Sequence, residues 1–263
     1  MADIACQEFL DTEGTRMAWA TTYTGKQVYY FDPQPEQIDL VDIIISLSRN
    51  HRFGGFSPIK IAQHILEVAS GMAREVAENG GSLQEQATAF LVGLLHDFPE
   101  YILLDVPTPM KRVLGSAYTN LEATLLRAIL RKWNIELDYW RLEELMKKHD
   151  SIAVQSEAIR FKLDGHVFDY DTEEHVPTGV WRWVDPNAPQ PYSDTVYDED
   201  TVQDFLGYRF VQCMVLTGRA ALLPEWLLRQ MAEEAPTPEQ AMATITWQLP
   251  SLFADETQVL VSA

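Results

Sequence analysis

A histidine followed directly by an aspartate sets an imidazole beside a carboxylate, and both are ligands for a divalent cation. With six histidines and eighteen aspartates in 263 residues, fewer than one such pair is expected by chance. Two occur, His96-Asp97 and His149-Asp150. The first closes a stretch, Ala87 to Leu95, that is apolar on all sides and therefore central. A carboxylate buried there is costly unless a cation offsets it. His64 flanks an apolar stripe of Ile61, Ile65, Val68, Met72 and Val76, so it points beside the core and not into open water. Asp150 opens an amphipathic stretch, Ile152-Ala153-Val154, on a later helix. Three helices can thus supply His64, His96 with Asp97, and Asp150 to one cation. Mixed imidazole and carboxylate ligands suit Mn, Co, Fe or Zn and leave positions for water and a phosphate oxygen. Such a metal would acidify the water and neutralise phosphoryl charge. Taken singly, each residue has a plainer reading. A lone His64 is more often a satisfied helix histidine, Glu100 a helix-end acid, Asp105 a turn former ahead of proline, and Arg52 or Lys111 a surface cation.

The elements that must position these groups are mostly helical. Ile38 to Arg49 is one candidate helix. Ser57-Pro58 reads as an N-cap with proline at the first helical position, opening the helix that carries His64. Asn79-Gly80-Gly81 stops that helix. Ser82 caps the next, with Glu85 completing a capping box, and this helix is expected to run to Phe98-Pro99. A proline-rich linker, Asp105 to Pro109, follows. Further helices are expected at Tyr118–Trp133, Leu142–Leu163, Thr201–Thr217 and Pro224–Glu233. Ahead of all of these, Met17–Tyr23 and Gln27–Phe31 are rich in aromatic and β-branched residues, and Thr24-Gly25-Lys26 can turn between them as a hairpin. The expected divisions are a hairpin segment at 1–36, a helical core at 37–165, and at 166–263 an acidic, aromatic-rich insertion with C-terminal helices packed on the core. Within the insertion Trp181, Trp183, Tyr192 and Tyr197 are read as packing residues, with a base-stacking wall or an oligomer interface as the alternative. His166 and His175 fall outside the ligand set, and His149 is read as an exposed or neighbouring residue.

Composition narrows the class of partner. Hydrophobic residues make up 46% and charged residues 22%, the balance of a folded globular chain. The net charge is −19, so long-range attraction to a nucleic-acid polymer or to an anionic membrane is not expected. A small anionic substrate needs a local basic or metal-lined pocket. The two cysteines, Cys6 and Cys213, form no thiolate metal pattern, and the N-terminal stretch lacks the apolar run of a signal peptide; a cytoplasmic location is expected.

The run from Gly25 to about Glu157 resembles the HD-domain metal-dependent phosphohydrolase superfamily. The matching segments, in order, are GKQVYYFD, ISLSRNHRFGGFSPIKIAQH, LLHDFPEYILLDVPTPMKR and HDSIAVQSE. They span roughly half of the chain, and the ordered set is far more specific than the dipeptide. Within the superfamily the chain is most similar to bacterial 5′-deoxynucleotidases, their prophage-encoded relatives and phage dATP triphosphohydrolases.

The resemblance implies an all-α fold: an HD-domain helical bundle with a short N-terminal β-hairpin and a C-terminal helical extension. It implies that His64, His96, Asp97 and Asp150 bind a divalent metal ion (Mn, Co, Zn, Fe or Mg). It assigns Glu100 to orienting or activating the attacking water, Asp105 to acid–base work near the scissile phosphate, and Arg52 to phosphate contact. Lys111, in Pro-x-Pro-x-Lys, offers a second positive charge to a phosphate chain. The implied activity is hydrolysis of a deoxynucleoside 5′-monophosphate, with a deoxynucleoside triphosphate as the alternative, and two-fold or higher self-association. Rival readings are a non-catalytic nucleotide-binding HD module and a phosphodiesterase; intact Glu100 and Asp105 weigh against the first, and six histidines against a histidine-rich two-metal site in the second. The chain departs from the superfamily in the hundred or so residues after Asp150, in His149 where an alanine is usual, and in Phe98 and Leu104 where smaller residues are common.

Overall fold

The structure, a computed structural model, describes residues 18–161, 166–169, 174–177 and 196–234. The fold is mostly helical, with a short two-stranded antiparallel sheet ahead of the helices, as expected. Strands β1 (Trp19–Thr21) and β2 (Gln27–Tyr29) pair Trp19 with Tyr29 and Thr21 with Gln27. The strands are shorter than the aromatic runs. Thr22 N–H bonds the Lys26 carbonyl at 2.9 Å, which commits the intervening residues to a turn, and Gly25 takes a φ of +82° there. Met17 lies outside the described residues. The turn is tied to helix α1 (Leu40–Arg49): the buried Asp42 carboxylate accepts from Thr24 N and from Thr24 Oγ1, both at 2.7 Å.

Helix α2 spans Ile61–Glu78. Ser57 is not its N-cap. The Ser57 hydroxyl accepts from Ile59 N at 3.2 Å, while Arg52 N–H reaches the Ile59 carbonyl and Ser57 N–H the Arg52 carbonyl. These bonds, with the bridge between His51 and Lys60, hold residues 51–60 as a folded loop, so the helix starts only after Lys60. At the other end Gly81 N–H bonds Val76 O and Gly80 N–H bonds Ala77 O, a Schellman stop in which Gly80 has a φ of +78°. Helix α3 (Leu83–Leu95) begins with the expected capping box, Ser82 N–H to Glu85 Oε2 at 2.8 Å and Glu85 N–H to Ser82 Oγ at 3.3 Å.

That helix stops at Leu95 and does not run to Phe98-Pro99. His96 to Pro99 form tight turns, with Phe98 N–H on the Leu95 carbonyl and Glu100 N–H on the Asp97 carbonyl. Two short helices follow, α4 (Glu100–Leu103) and α5 (Thr108–Leu114). The second forms inside the expected linker because Pro109 sits in its first turn, where a missing N–H costs nothing. Helix α6 is Ser116–Lys132 and helix α7 Glu136–Arg160. Helix α7 starts six residues earlier than Leu142, with Tyr139 buried in its first turn and Leu137 and Trp140 exposed. The expected end at Leu163 lies outside the described residues. Helices α8 (Glu199–Leu216) and α9 (Glu225–Glu234) complete the helical part. Asp198 caps α8 through Thr201 N at 2.8 Å.

Two compact units divide the chain. The first is Met1–Met146 with Tyr197–Leu223, and the second Lys147–Val196 with Pro224–Ala263. In the second, strands β3 (His166–Asp169) and β4 (Glu174–Pro177) pair antiparallel, so the acidic segment contains a hairpin. Trp181, Trp183 and Tyr192 lie outside the described residues; Tyr197 packs edge-on against Phe205 with centroids 6.0 Å apart.

The first unit has its core between α2 and α3, with α8 crossing α1, α2 and α3. Helices α2 and α3 approach closely at Gly93, where a Cβ would stand 2.5 Å from Ala69 Cα and 2.9 Å from Ala69 N. Beside this contact Phe98, Trp133 and Phe210 are fully buried against one another, with centroids 4.9 to 6.0 Å apart. No single helix among the described residues is long and apolar enough to cross a membrane. Replacing Gly93 by alanine is expected to lower the unfolding free energy by about 1–3 kcal/mol through overpacking against backbone. Urea denaturation at equilibrium reads the change, and an unchanged midpoint would contradict the close approach.

Candidate functional site

The loop between α1 and α2, the turn after α3, and the start of α4 bring the sequence-expected residues of the first unit together. His64 rises from the first turns of α2 and is fully buried. His96 follows α3 directly, and its Nδ1 lies 2.6 Å from the Gly93 carbonyl. A carbonyl only accepts, so Nδ1 carries a proton and Nε2 is the ring nitrogen turned toward Asp97. The two imidazole rings have centroids 5.4 Å apart. Asp97 Oδ2 stands 3.3 Å from His96 Nε2 and 3.5 Å from His64 Nε2. His64, His96 and Asp97 thus gather two imidazoles and a carboxylate in the first unit, while Asp150 belongs to the second unit. Imidazole nitrogens beside a carboxylate oxygen are donor types that bind a divalent cation.

Arg52 lies against this group. Its Nη1 is 3.3 Å from Asp97 Oδ2, 3.2 Å from Asp105 Oδ1 and 3.8 Å from Glu100 Oε2. The guanidinium is buried, with 8% of its side chain exposed. Asp105 is held from a second side, because Gly54 N–H donates to its Oδ2 at 2.9 Å. Backbone conformation brings these partners together: Phe53 and Leu104 both adopt positive φ, +57° and +62°, next to Arg52 and Asp105 respectively. Such conformations cost non-glycine residues about 1–3 kcal/mol and persist only where surrounding contacts over-determine them.

The two central acids are driven in opposite directions. Burial alone would raise the Asp97 carboxyl, but His96, Arg52 and His64 together hold it well below the usual carboxylate range. Burial pushes Glu100 well above that range, and repulsion from Asp97 and Asp105 adds to it, against partial relief from Arg52 and Lys111. Glu100 Oε2 makes no hydrogen bond among the described residues. Carboxylates whose environments separate in this way can divide the labour of proton transfer.

Lys111, on α5, stands apart from Arg52 in its engagements. Its Nζ is 2.8 Å from Glu122 Oε1 on α6 and 3.5 Å from Glu100 Oε1. Glu122 was not evident from the sequence, because it follows Lys111 by eleven residues across the break between α5 and α6 at Gly115. The Gly54 amide and the Gly93 carbonyl were equally hidden as backbone groups; the paired glycines at 54–55 were the one available signal for the first. His149, expected to be exposed or a neighbour of the site, is buried with 8% exposure. His51 is occupied elsewhere, its Nε2 2.8 Å from Lys60 Nζ.

No family model matches the chain. Two relatives align with it. An uncharacterized protein of Rhodobacter capsulatus is 28% identical over 148 residues, covering 54% of this chain and 72% of that protein. The uncharacterized protein YfdR of Escherichia coli is 28% identical over 175 residues, covering 66% of this chain and 88% of its own length.

Two outcomes are expected from this geometry. His96→Ala and Asp97→Asn should each weaken binding of Co²⁺ by more than about tenfold while the far-ultraviolet dichroism stays helical. Equilibrium metal titration would read this, and full affinity in both variants would contradict the donor set. In metal-free protein the raised Glu100 acid favours folding below its unfolded value of 4.5 and loses that contribution as pH rises toward its folded value. Glu100→Gln does not titrate, so its stability relative to the parent should improve steadily as pH rises above 4.5, followed by denaturation across the pH range.

Proposed function

We propose that the protein is a metal-dependent phosphohydrolase of the HD-domain type that acts on deoxynucleotides, with deoxynucleoside 5′-monophosphates as the leading substrates. The observation that carries this reading is a shared oxygen: Asp97 Oδ2 faces both imidazole Nε2 atoms and the Arg52 guanidinium. A metal-ready donor set and an anion-binding cation are therefore immediate neighbours, an arrangement suited to a phosphate ester whose oxygens must meet both. His64, His96, Asp97 and Asp150 would hold the ion, which would supply Lewis acidity toward phosphoryl oxygen and acidify a water.

The chain's own groups account for the remaining chemistry. Arg52 offers its guanidinium to phosphate oxygens and neutralises charge that grows during displacement. Glu100, with Oε2 not hydrogen-bonded among the described residues, orients the attacking water and takes its proton once ionised, a form that positive charge of a bound ion beside Asp97 would favour. As the water oxygen bonds to phosphorus, the bond from phosphorus to the ester oxygen breaks. Asp105, fixed by Arg52 and the Gly54 amide, handles the proton at the leaving oxygen. The acidic surface at net −19 is no obstacle, since the substrate meets a local cation and a metal.

The test is product analysis on full-length protein supplied with Mn²⁺, Co²⁺, Zn²⁺ or Mg²⁺ and each deoxynucleoside mono- and triphosphate. Nucleoside plus phosphate from monophosphates is the expected result. Nucleoside plus triphosphate, or stepwise trimming, would move the substrate to the triphosphate class. No turnover with any metal would overturn the hydrolase reading in favour of a binding module. His96→Ala and Asp97→Ala should abolish turnover with folding intact, and full activity in either would contradict the assignment.

A further inference from the structure

We propose that Glu122 is a positioning residue: it holds Lys111, and through Lys111 it fixes the Glu100 carboxylate for proton transfer, so that Lys111 serves Glu100 and not the substrate phosphate. The inference rests on the hydrolase reading above and names a further part of its machinery.

Three elements meet at the Lys111 ammonium. Glu122 Oε1 on α6 lies at 2.8 Å and Glu100 Oε1 at the start of α4 at 3.5 Å. The Tyr118 ring, also on α6, covers another side with its centroid 5.3 Å from Nζ. A quarter of the Lys111 side chain is exposed, against 2% for Glu100. An ammonium has three N–H donors, and here two acids and a ring face already claim its surroundings. Little of it is left for a phosphate chain. Arg52 is also held by acids, Asp97, Glu100 and Asp105, but it stands beside the metal donors and has five N–H donors to the ammonium's three, so it is the cation placed for that role.

The same geometry gives Glu100 a defined orientation. Oε1 is taken by Lys111, and Oε2 is turned toward Arg52 at 3.8 Å without a hydrogen bond. A carboxylate pinned at one oxygen presents the other in one direction, which a general base requires. Glu122 sets how far Lys111 can follow Glu100. With Glu122 neutral, the ammonium has one acid left and should close on Glu100, drawing it from its orientation. The register between α5 and α6 depends on Gly115, whose φ of +63° and ψ of −146° lie in a region open mainly to glycine.

The test is steady-state kinetics of full-length, metal-loaded protein on the deoxynucleoside monophosphate it turns over fastest. Glu122→Gln and Lys111→Met should each lower kcat by roughly 10- to 100-fold with KM changed by less than about twofold. Glu122→Asp should recover part of the loss, the double variant should fall no further than Lys111→Met alone, and Co²⁺ affinity should not move. If Glu122→Gln or Lys111→Met fails to fold, Glu122→Asp and Lys111→Arg carry the same comparison of kcat with KM. A rise in KM for Lys111→Met, together with parental kcat in Glu122→Gln, would make Lys111 a phosphate ligand and overturn the proposal alone. A parent protein without turnover on any deoxynucleotide would instead remove the hydrolase reading, and this inference with it.

Discussion

Arg52 stands within 4 Å of three carboxylates, those of Asp97, Glu100 and Asp105, and much of the first unit is arranged around that concentration of buried charge. A carboxylate removed from water costs several kcal/mol unless cations and donors surround it. One guanidinium and one more distant ammonium against three acids leave an excess of negative charge. Burial first, and this imbalance with it, drives Glu100 toward its protonated form, while His96, Arg52 and His64 overcome burial at Asp97 and keep it ionised. The imbalance also gives a divalent cation a physical reason to bind there, independent of any resemblance.

Holding this charge in place requires rigid apolar support. Phe98 follows Asp97 directly and is locked between Trp133 and Phe210, so the turn carrying His96 and Asp97 is anchored by a core cluster from three parts of the chain. The contact of Gly93 with Ala69 sets the distance between α2 and α3 and hence between the histidines that they carry. Gly93 contributes twice, since its carbonyl also accepts from His96 Nδ1. The positive φ angles at Phe53 and Leu104 are retained against their cost because the Arg52–Asp105 pair and the Gly54 amide bind the two loops together.

Local signals were legible wherever neighbours in sequence are also neighbours in space. The Ser82–Glu85 capping box, the Asn79-Gly80-Gly81 stop and the apolar stripe of α2 act over three to five residues, and the structure reproduces them. Where a local signal competed with tertiary contacts, the contacts prevailed. Ser57-Pro58 has the chemistry of a helix start, yet the bonds among Arg52, Ser57 and Ile59 fold that stretch as a loop and bring Arg52 to the acids. The proline linker became α5, which places Lys111.

From the sequence alone, the mostly helical class, the leading hairpin and the candidates His64, His96 and Asp97 could be read, because residue type and short spacing carry that information; Glu100 and Asp105 stood out only through the resemblance to the HD-domain superfamily. Only the tertiary structure decided that one oxygen of Asp97 serves both imidazoles and Arg52, that a backbone amide holds Asp105, and that Lys111 is bound by Glu122. Apart from the adjacent His96 and Asp97, these are relations between side chains and backbone groups 11 to 51 residues apart in the chain. Their distances are set by how helices pack and how glycines let the chain turn, and no local pattern of residues encodes them.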